Sequence, residues 1–268
     1  MRRLSPGLLV GIGVAACALA TAASAADMPV PAAPAYYPPV YRPVIYDWTG
    51  IYVGGDVGGG WLNDVVTTTT ATALMPAGAA TRISAGGVVG GGQVGVNVQF
   101  SQVVVGFEAT WNASNLTGTQ VTPSPLLANV SEQSTSAATW YATATGRVGF
   151  ALNDFLFYAK GGAAWMRADY TQAVTVPGGV FTLQTLTDTR TGYTAGAGVE
   201  FGMTENLSAK LEYDYLGFGS RTYNFPNLMT PTGVPVVLPV SIKSATQLIT
   251  VGVNYRFNWA GGGAIVTK

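Results

Sequence analysis

The feature of this sequence that most restricts its fold is an alternation of apolar and polar side chains, repeated over eight stretches. Within residues 206–215, odd positions such as Leu211 and Tyr213 are apolar or aromatic, whereas even positions such as Lys210 and Glu212 are charged. A period of two residues is typical of a β-strand, because successive side chains point to opposite faces. The pattern therefore predicts strands rather than helices.

Charge decides which face of these strands meets lipid. Only 10% of the residues are charged, against roughly 25% in a soluble domain, while 48% are hydrophobic. A Lys or Arg on the lipid face at the bilayer midplane costs about 2–4 kcal/mol. The sequence therefore predicts an all-β fold, an eight-stranded antiparallel transmembrane β-barrel with short periplasmic turns and four long extracellular loops. The alternative fold is a secreted lipocalin-like barrel, which the low charge disfavours.

The turn-forming residues divide the chain into strands and connections. The predicted strands cover 48–62, 86–100, 102–115, 136–151, 154–171, 188–203, 206–223 and 243–257. Polar segments at 63–85, 116–135, 172–187 and 224–242 are predicted as the long loops, and tight turns join the strands at the other end. An even number of strands places both ends of the barrel on the side of the short turns.

The two ends of the chain differ in composition from the barrel at 48–257. Residues 1–25 have the basic start, apolar run and A-x-A site of a secretory signal peptide, so the mature chain is expected to begin at Ala26. The alternative is lipidation of Cys17 after processing as a lipoprotein. Residues 26–47 form a Pro-rich periplasmic leader, and residues 258–268 form a Gly-rich C-terminal tail.

Parity assigns a predicted face to each charged and aromatic residue. The charges predicted to form an ion network that plugs the lumen are Asp56, Glu108, Arg147, Lys160, Glu200, Lys210, Glu212, Asp214 and Arg256. Aromatic rings prefer membrane interfaces. The predicted outer girdle consists of Trp61, Trp111, Trp140, Trp165, Tyr193 and Tyr215, and the inner girdle includes Phe100, Phe150, Phe155 and Phe201.

Missing residue types exclude several kinds of site. The chain has no histidine, and its single cysteine, Cys17, lies within the predicted signal peptide. Histidine-based triads, imidazole or thiolate metal sites and disulfides are therefore not expected, and neither a metal nor a cofactor is predicted. A net charge of zero argues against nucleic-acid binding. No catalytic residues are predicted.

Several motifs resemble the small outer-membrane β-barrel proteins of alphaproteobacteria, the opacity-porin-like surface proteins of rhizobial and Brucella type. These motifs are ADMP at 26–29, DWTGIYVGG at 47–55, YAKGGAAW at 158–165 and VGVNYRF at 251–257. The resemblance implies that the barrel-assembly machinery recognises the last strand, with Tyr255 and Phe257 as the aromatic signal. Residues 258–268 depart from the family pattern, in which the chain stops at the phenylalanine.

The expected function is structural: a barrel in the cell outer membrane that contributes to envelope integrity and surface presentation. The alternatives are a narrow porin and a surface barrel that binds ligands or mediates adhesion; an enzyme is disfavoured because the chain lacks histidine. The expected partners are outer-membrane lipids. Contacts to lipopolysaccharide phosphates are predicted for cations beyond the outer girdle, namely Arg82, Arg167, Arg221 and Lys243.

Overall fold

The computed structural model describes residues 46–72, 75–176, 179–229 and 235–257. Among these residues, eight strands form a closed antiparallel barrel in which each strand pairs with its neighbours in sequence and β1 pairs with β8. The strands are β1 (Gly50–Thr68), β2 (Ala80–Phe100), β3 (Val103–Pro123), β4 (Ser131–Leu152), β5 (Phe155–Val176), β6 (Gly179–Gly202), β7 (Leu207–Met229) and β8 (Pro235–Phe257). The predicted fold class is confirmed. No described helix is long and apolar enough to cross a membrane.

The predicted signal peptide, the possibility of lipidation at Cys17, most of the leader and the C-terminal tail lie outside the described residues. The short turns fall at the predicted places. Two-residue turns join β2 to β3 and β4 to β5, and Ser101 and Asn153 there have φ values of +57° and +53°. Such left-handed conformations match the twist of a tight hairpin. We call this end of the barrel the inner end and the opposite end the outer end.

The strands are much longer than predicted at the outer end. They contain 19 to 24 residues, whereas about 9–11 residues cross a membrane. The connections at the outer end cover only 69–79, 124–130, 177–178 and 230–234, so the predicted loop boundaries are wrong. Threonine explains the difference: pairs such as Thr119–Thr135 and Thr171–Thr185 are hydrogen bonded across neighbouring strands. Threonine is polar but favours strands.

Two ladders end before the outer ends of their strands, β2–β3 at Gly86↔Thr117 and the shorter β6–β7. The pairing of β6 with β7 runs from Gly202↔Ser208 only to Tyr193↔Gly217, whereas β5–β6 and β7–β8 remain paired to the outer end. An irregularity in β7 between Phe218 and Arg221 coincides with the end of this pairing. The outer parts of β6 and β7 are therefore held together by side chains, described below.

Candidate functional site: the barrel interior

A cluster of buried charges occupies the inner half of the interior. Glu108 on β3 is fully buried, and three cations lie within 4 Å of its carboxylate. Lys160 Nζ is 3.4 Å away, Arg147 Nη1 is 3.7 Å away and Lys210 Nζ is 3.8 Å away. A buried carboxylate is strongly unfavourable unless cations and hydrogen bonds compensate it. These four residues come from β3, β4, β5 and β7, so the cluster spans the interior.

Further carboxylates extend this cluster. Lys160 Nζ lies 2.6 Å from Glu212 Oε1 and 3.1 Å from Asp214 Oδ2. Arg147 Nη1 lies 3.5 Å from Glu200 Oε2 on β6. The structure therefore brings seven of the nine predicted lumen charges into one connected network, which we call the ion cluster. Its members are Glu108, Arg147, Lys160, Glu200, Lys210, Glu212 and Asp214.

Two tyrosines hold the central arginine of the ion cluster. The guanidinium of Arg147 lies 4.7 Å from the ring centroid of Tyr52 and 5.1 Å from that of Tyr158. The Tyr52 hydroxyl donates to Glu108 at 2.8 Å, and the Tyr158 hydroxyl donates to Glu212 at 2.6 Å. Neither tyrosine was predicted as a lumen residue. Only their parity in the sequence could have identified them as lumen residues, because it matches the parity of the inward-facing charges.

The other two predicted lumen charges lie outside the ion cluster. Asp56 faces the interior, and its Oδ1 atom has no hydrogen-bond partner among the described residues. Arg256 lies at the inner end, where its guanidinium is 4.4 Å from the ring centroid of Tyr46 and its Nη2 donates to the Glu205 carbonyl at 2.6 Å. Assigning Arg256 to the central network was wrong, because its side chain reaches the barrel mouth.

Aromatic side chains cover the inner mouth of the barrel. Trp48 is 1% exposed and packs on Tyr46, with a distance of 4.5 Å between ring centroids. The Trp48 backbone N–H donates to Gln99 Oε1 at 2.7 Å. Trp48 was predicted as the first residue of a strand, but β1 begins at Gly50, whose φ of +148° suits glycine. The chain before β1 therefore turns into the mouth.

The outer half of the interior is mainly apolar, so the predicted ion network occupies only the inner half. Leu62, Met166 and Leu248 are at most 1% exposed there. Met75, from the connection at 69–79, is also buried in this group. We call this group the apolar cluster, and its larger members are Leu62, Met75, Ile83, Leu116, Tyr141, Met166, Tyr170, Leu216, Phe218, Tyr223, Phe225, Ile242 and Leu248.

A second group of buried polar residues lies within the apolar cluster. Arg190 on β6 is 2% exposed, and its Nη1 donates to Ser244 Oγ at 2.6 Å and to the Tyr170 hydroxyl at 3.2 Å. Asp64 on β1 is 1% exposed and accepts a hydrogen bond of 2.5 Å from Ser136. Asp64 falls in the segment 63–85 that was predicted as a loop, and Arg190 was not predicted as a lumen residue. A continued strand parity would have placed both inside.

The predicted girdle residues lie on the outside of the barrel. Trp61, Trp111 and Tyr193 are exposed at the beginning of the outer half, while Trp140, Trp165 and Tyr215 are half-buried on the same surface. Near the inner end the exposed rings include Phe100, Phe150, Phe155 and Phe201, as well as Tyr255 and Phe257. The structure thus carries two rings of aromatic side chains with apolar residues between them, as a membrane-spanning barrel does.

The four predicted lipopolysaccharide contacts do not form one site. Arg82 and Lys243 lie on β2 and β8, on either side of β1, whereas Arg167 lies on β5. Arg221 Nη1 forms a salt bridge of 2.9 Å with Asp188, which also accepts a hydrogen bond from Tyr223. Beyond the irregularity in β7, Arg221 pairs with the inward-facing Ile242 while its side chain is 57% exposed, and its contact with lipopolysaccharide stays a prediction. Arg82 and Lys243 remain as a pair.

Three layers of buried side chains follow one another along the barrel interior. The residues that the structure describes contain no group of three metal-binding side chains. Eight strands leave a lumen that their own side chains can fill. The layers are the aromatic inner mouth, the ion cluster and the apolar cluster.

Comparison with known proteins places this barrel in a family. Residues 13–257 match the family described as "Outer membrane protein beta-barrel domain". The chain belongs to this family. Its members of the alphaproteobacterial type are the small outer-membrane barrels that the sequence motifs resemble, so that resemblance is confirmed, as is the location in the outer membrane.

Two relatives and one solved structure illustrate the similarity. The 31 kDa outer-membrane immunogenic protein of Brucella melitensis biotype 1 is 30% identical over 248 residues, which cover 90% of this chain and 96% of the relative. The 22 kDa outer membrane protein of Rhizobium leguminosarum bv. viciae is 35% identical over 88 residues, covering 32% and 36%. The solved structure of OprG from Pseudomonas aeruginosa is similar, with a TM-score of 0.40 and 10% sequence identity. The match covers 80% of this chain and 100% of OprG.

Proposed function

We propose that this outer-membrane barrel is a closed structural protein that contributes to envelope integrity and presents its outer end on the cell surface. The observation that supports the proposal is the succession of three different layers of buried side chains along the lumen. A channel needs a continuous polar path, and channels of ordinary porin type have 16–18 strands. In this protein the mainly apolar cluster lies above the ion cluster, and the polar groups buried within it, such as Arg190 and Asp64, are hydrogen bonded to other side chains.

The ion cluster has a structural role in this proposal. Its cations and carboxylates come from β3 to β7, and several of its ion pairs, such as Lys210–Glu108, join strands that are not neighbours in the barrel wall. Removing one partner of a buried ion pair costs about 3–5 kcal/mol, because the remaining charge stays buried. The cluster therefore opposes both the flattening of the barrel and the entry of water.

Single-channel recording in planar bilayers tests the closed lumen. The purified full-length protein is expected to show no stable conductance steps. A variant with Trp48→Ala, Lys160→Ala and Leu248→Ala, one change in each layer, serves as the comparison and is expected to conduct. Stable steps of porin size from the unaltered protein would instead support the narrow-porin alternative and contradict this proposal.

Envelope integrity and surface presentation need tests in cells. A strain without the protein is expected to become more sensitive to detergents, and both the native chain and the Arg167→Gln variant should restore resistance.

Antibodies against the outer connection at 69–79 should label intact cells. Several relatives are named outer-membrane immunogenic proteins, which supports exposure at the surface. Absence of labelling on intact cells, together with labelling of opened cells, would contradict the orientation.

We also propose that the protein is not an enzyme. The interior carboxylates of the ion cluster are engaged with cations, as in Lys160 with Glu212 at 2.6 Å, and the chain has no histidine to activate a serine. Serine acylation by a fluorophosphonate probe provides a direct test, and no labelling of the folded barrel is expected. Labelling that requires the folded state would overturn this part of the proposal.

A further inference from the structure

Two cations lie side by side on the outside of the barrel near its outer end. Val65 on β1 pairs directly with Arg82 on β2 and with Lys243 on β8. Residues directly opposite one another in an antiparallel ladder share a face, and both cations are exposed. Neighbouring strands are about 4.8 Å apart, so the two cation-bearing Cα atoms are separated by about 10 Å. We call these three residues the Arg82–Lys243 site.

The position of this site along the barrel axis places it at the surface of the membrane. Trp61, on the same face of β1, lies in the outer aromatic ring and is four residues closer to the inner end. Four strand residues at the usual tilt correspond to about 10 Å along the membrane normal. Arg82 and Lys243 therefore lie at the level of lipid headgroups, and exposed apolar side chains such as Val88 and Ile249 lie below them.

The surroundings of the site leave its positive charge uncompensated. The cross-strand neighbours on the same face are neutral, including the Asn63–Ser84 and Thr67–Ala80 pairs. Neither cation forms a salt bridge with any residue in the described part of the chain, whereas Arg221 is paired with Asp188. Two exposed cations without an acidic partner attract an anion, and at this height the anions of the outer leaflet are the phosphate groups of lipopolysaccharide.

We propose that Arg82 and Lys243 bind phosphate groups of one lipopolysaccharide molecule, whose acyl chains lie against the surface around Trp61 and Val88. The site lies on strands β8, β1 and β2, where the barrel closes. Bound lipid would therefore clamp the first strand to the last one. This interaction is independent of whether the lumen conducts, so it does not depend on the proposed structural function.

Lipopolysaccharide titration of the purified full-length protein tests the proposal, with deep-rough lipopolysaccharide as the probe and its dephosphorylated form in parallel. Each cation near an anionic lipid surface contributes about fivefold in affinity. We expect Arg82→Gln and Lys243→Gln each to weaken binding about fivefold, and the double variant about 30-fold, by the same per-cation contribution. With dephosphorylated lipid, the native protein and the double variant should bind equally.

Two matched variants separate a defined site from general charge. Arg167→Gln removes another cation for which the sequence predicted a lipid contact, but it lies on β5, on another part of the wall, so its loss should leave binding at the Arg82–Lys243 site unchanged. Val65→Glu places a carboxylate between the two cations and should weaken binding, while Val65→Gln should not. Equal binding by the native protein and the double variant, or an equal loss in Arg167→Gln, would overturn the proposal. Binding of inorganic phosphate alone that is as strong as binding of the lipid would also overturn the assignment to a lipid.

Discussion

Arg190 on β6 donates a hydrogen bond of 2.6 Å to the hydroxyl of Ser244 on β8, two strands away. Its Nη2 donates to the carbonyl of Ile242 at 3.0 Å and to that of Gly219 on β7. These contacts lie where the β6–β7 backbone ladder has ended. A side chain therefore replaces the missing backbone hydrogen bonds between two neighbouring strands, and the apolar cluster stays enclosed.

Replacing this arginine should loosen the outer part of the barrel. We expect Arg190→Met to lower the free energy of unfolding by about 3 kcal/mol, because it leaves buried acceptors without a donor. Amide hydrogen exchange should increase at residues 218–225, while the inner halves of the strands stay protected. Arg167→Met, at an exposed position on β5, is the control, and a similar effect of both changes would contradict this role for Arg190.

A glycine under Tyr52 makes the ion cluster sensitive to one added methyl group. A Cβ atom at Gly95 would clash with the Tyr52 ring, and the Tyr52 hydroxyl donates a hydrogen bond to Glu108. We expect Gly95→Ala to destabilise the barrel by about 1–3 kcal/mol, as overpacking does. Gly146→Ala is the matched control, since nothing lies within 4 Å of a Cβ there. Thermal unfolding in detergent measures both, and equal midpoints would contradict tight packing at Tyr52.

Glu132, near the outer end of β4, predicts a pH dependence of stability. It lies eight residues beyond Trp140, outside the membrane, and burial raises the pKa of its carboxyl to about 7. The unfolded chain therefore ionises at a lower pH than the folded one. The contribution of Glu132 to stability should be greatest below about pH 4.5 and should fall by up to about 3 kcal/mol as the pH rises to about 7.

The change Glu132→Gln tests this assignment. The variant should be more stable than the native protein at pH 8, and its stability should vary less between pH 4.5 and 7. Chemical unfolding at several pH values measures the difference. If the two proteins have parallel pH profiles, another group is responsible.

The last strand should control assembly through its exposed aromatic residues. Tyr255 and Phe257 lie on the outside of β8 with 5.0 Å between ring centroids, and Phe257 pairs with Ile51 of β1. We expect Phe257→Ala to reduce the amount inserted in the outer membrane severalfold, whereas deletion of residues 258–268 should leave it unchanged. Phe201→Ala, at an exposed inner-girdle position of β6, serves as control. Equal surface levels of Phe257→Ala and the native chain would contradict the signal.

The sequence was sufficient for the barrel and for the inner half of its lumen. Alternation and sparse charge fixed eight strands, the short turns and the inward face of Glu108, Lys160 and Glu212, because each depends only on residue parity and on the cost of placing a charge in lipid. Where the outside of the barrel faces water, outward-facing side chains can also be polar, so apolar and polar residues no longer alternate. Threonine-rich strand ends such as those containing Thr119 and Thr171 were therefore mistaken for loops.

The tertiary structure alone decided what meets inside the barrel. Parity shows that Tyr52, Arg147 and Tyr158 face inward, but only the register of β1, β4 and β5 brings the two rings against one guanidinium. The irregularity in β7 turned Arg221 toward Asp188, and no period of two predicts where a strand breaks its alternation. The face on which a side chain lies is set locally by its own strand. Its contact partners depend on the relative positions of strands that are distant in sequence.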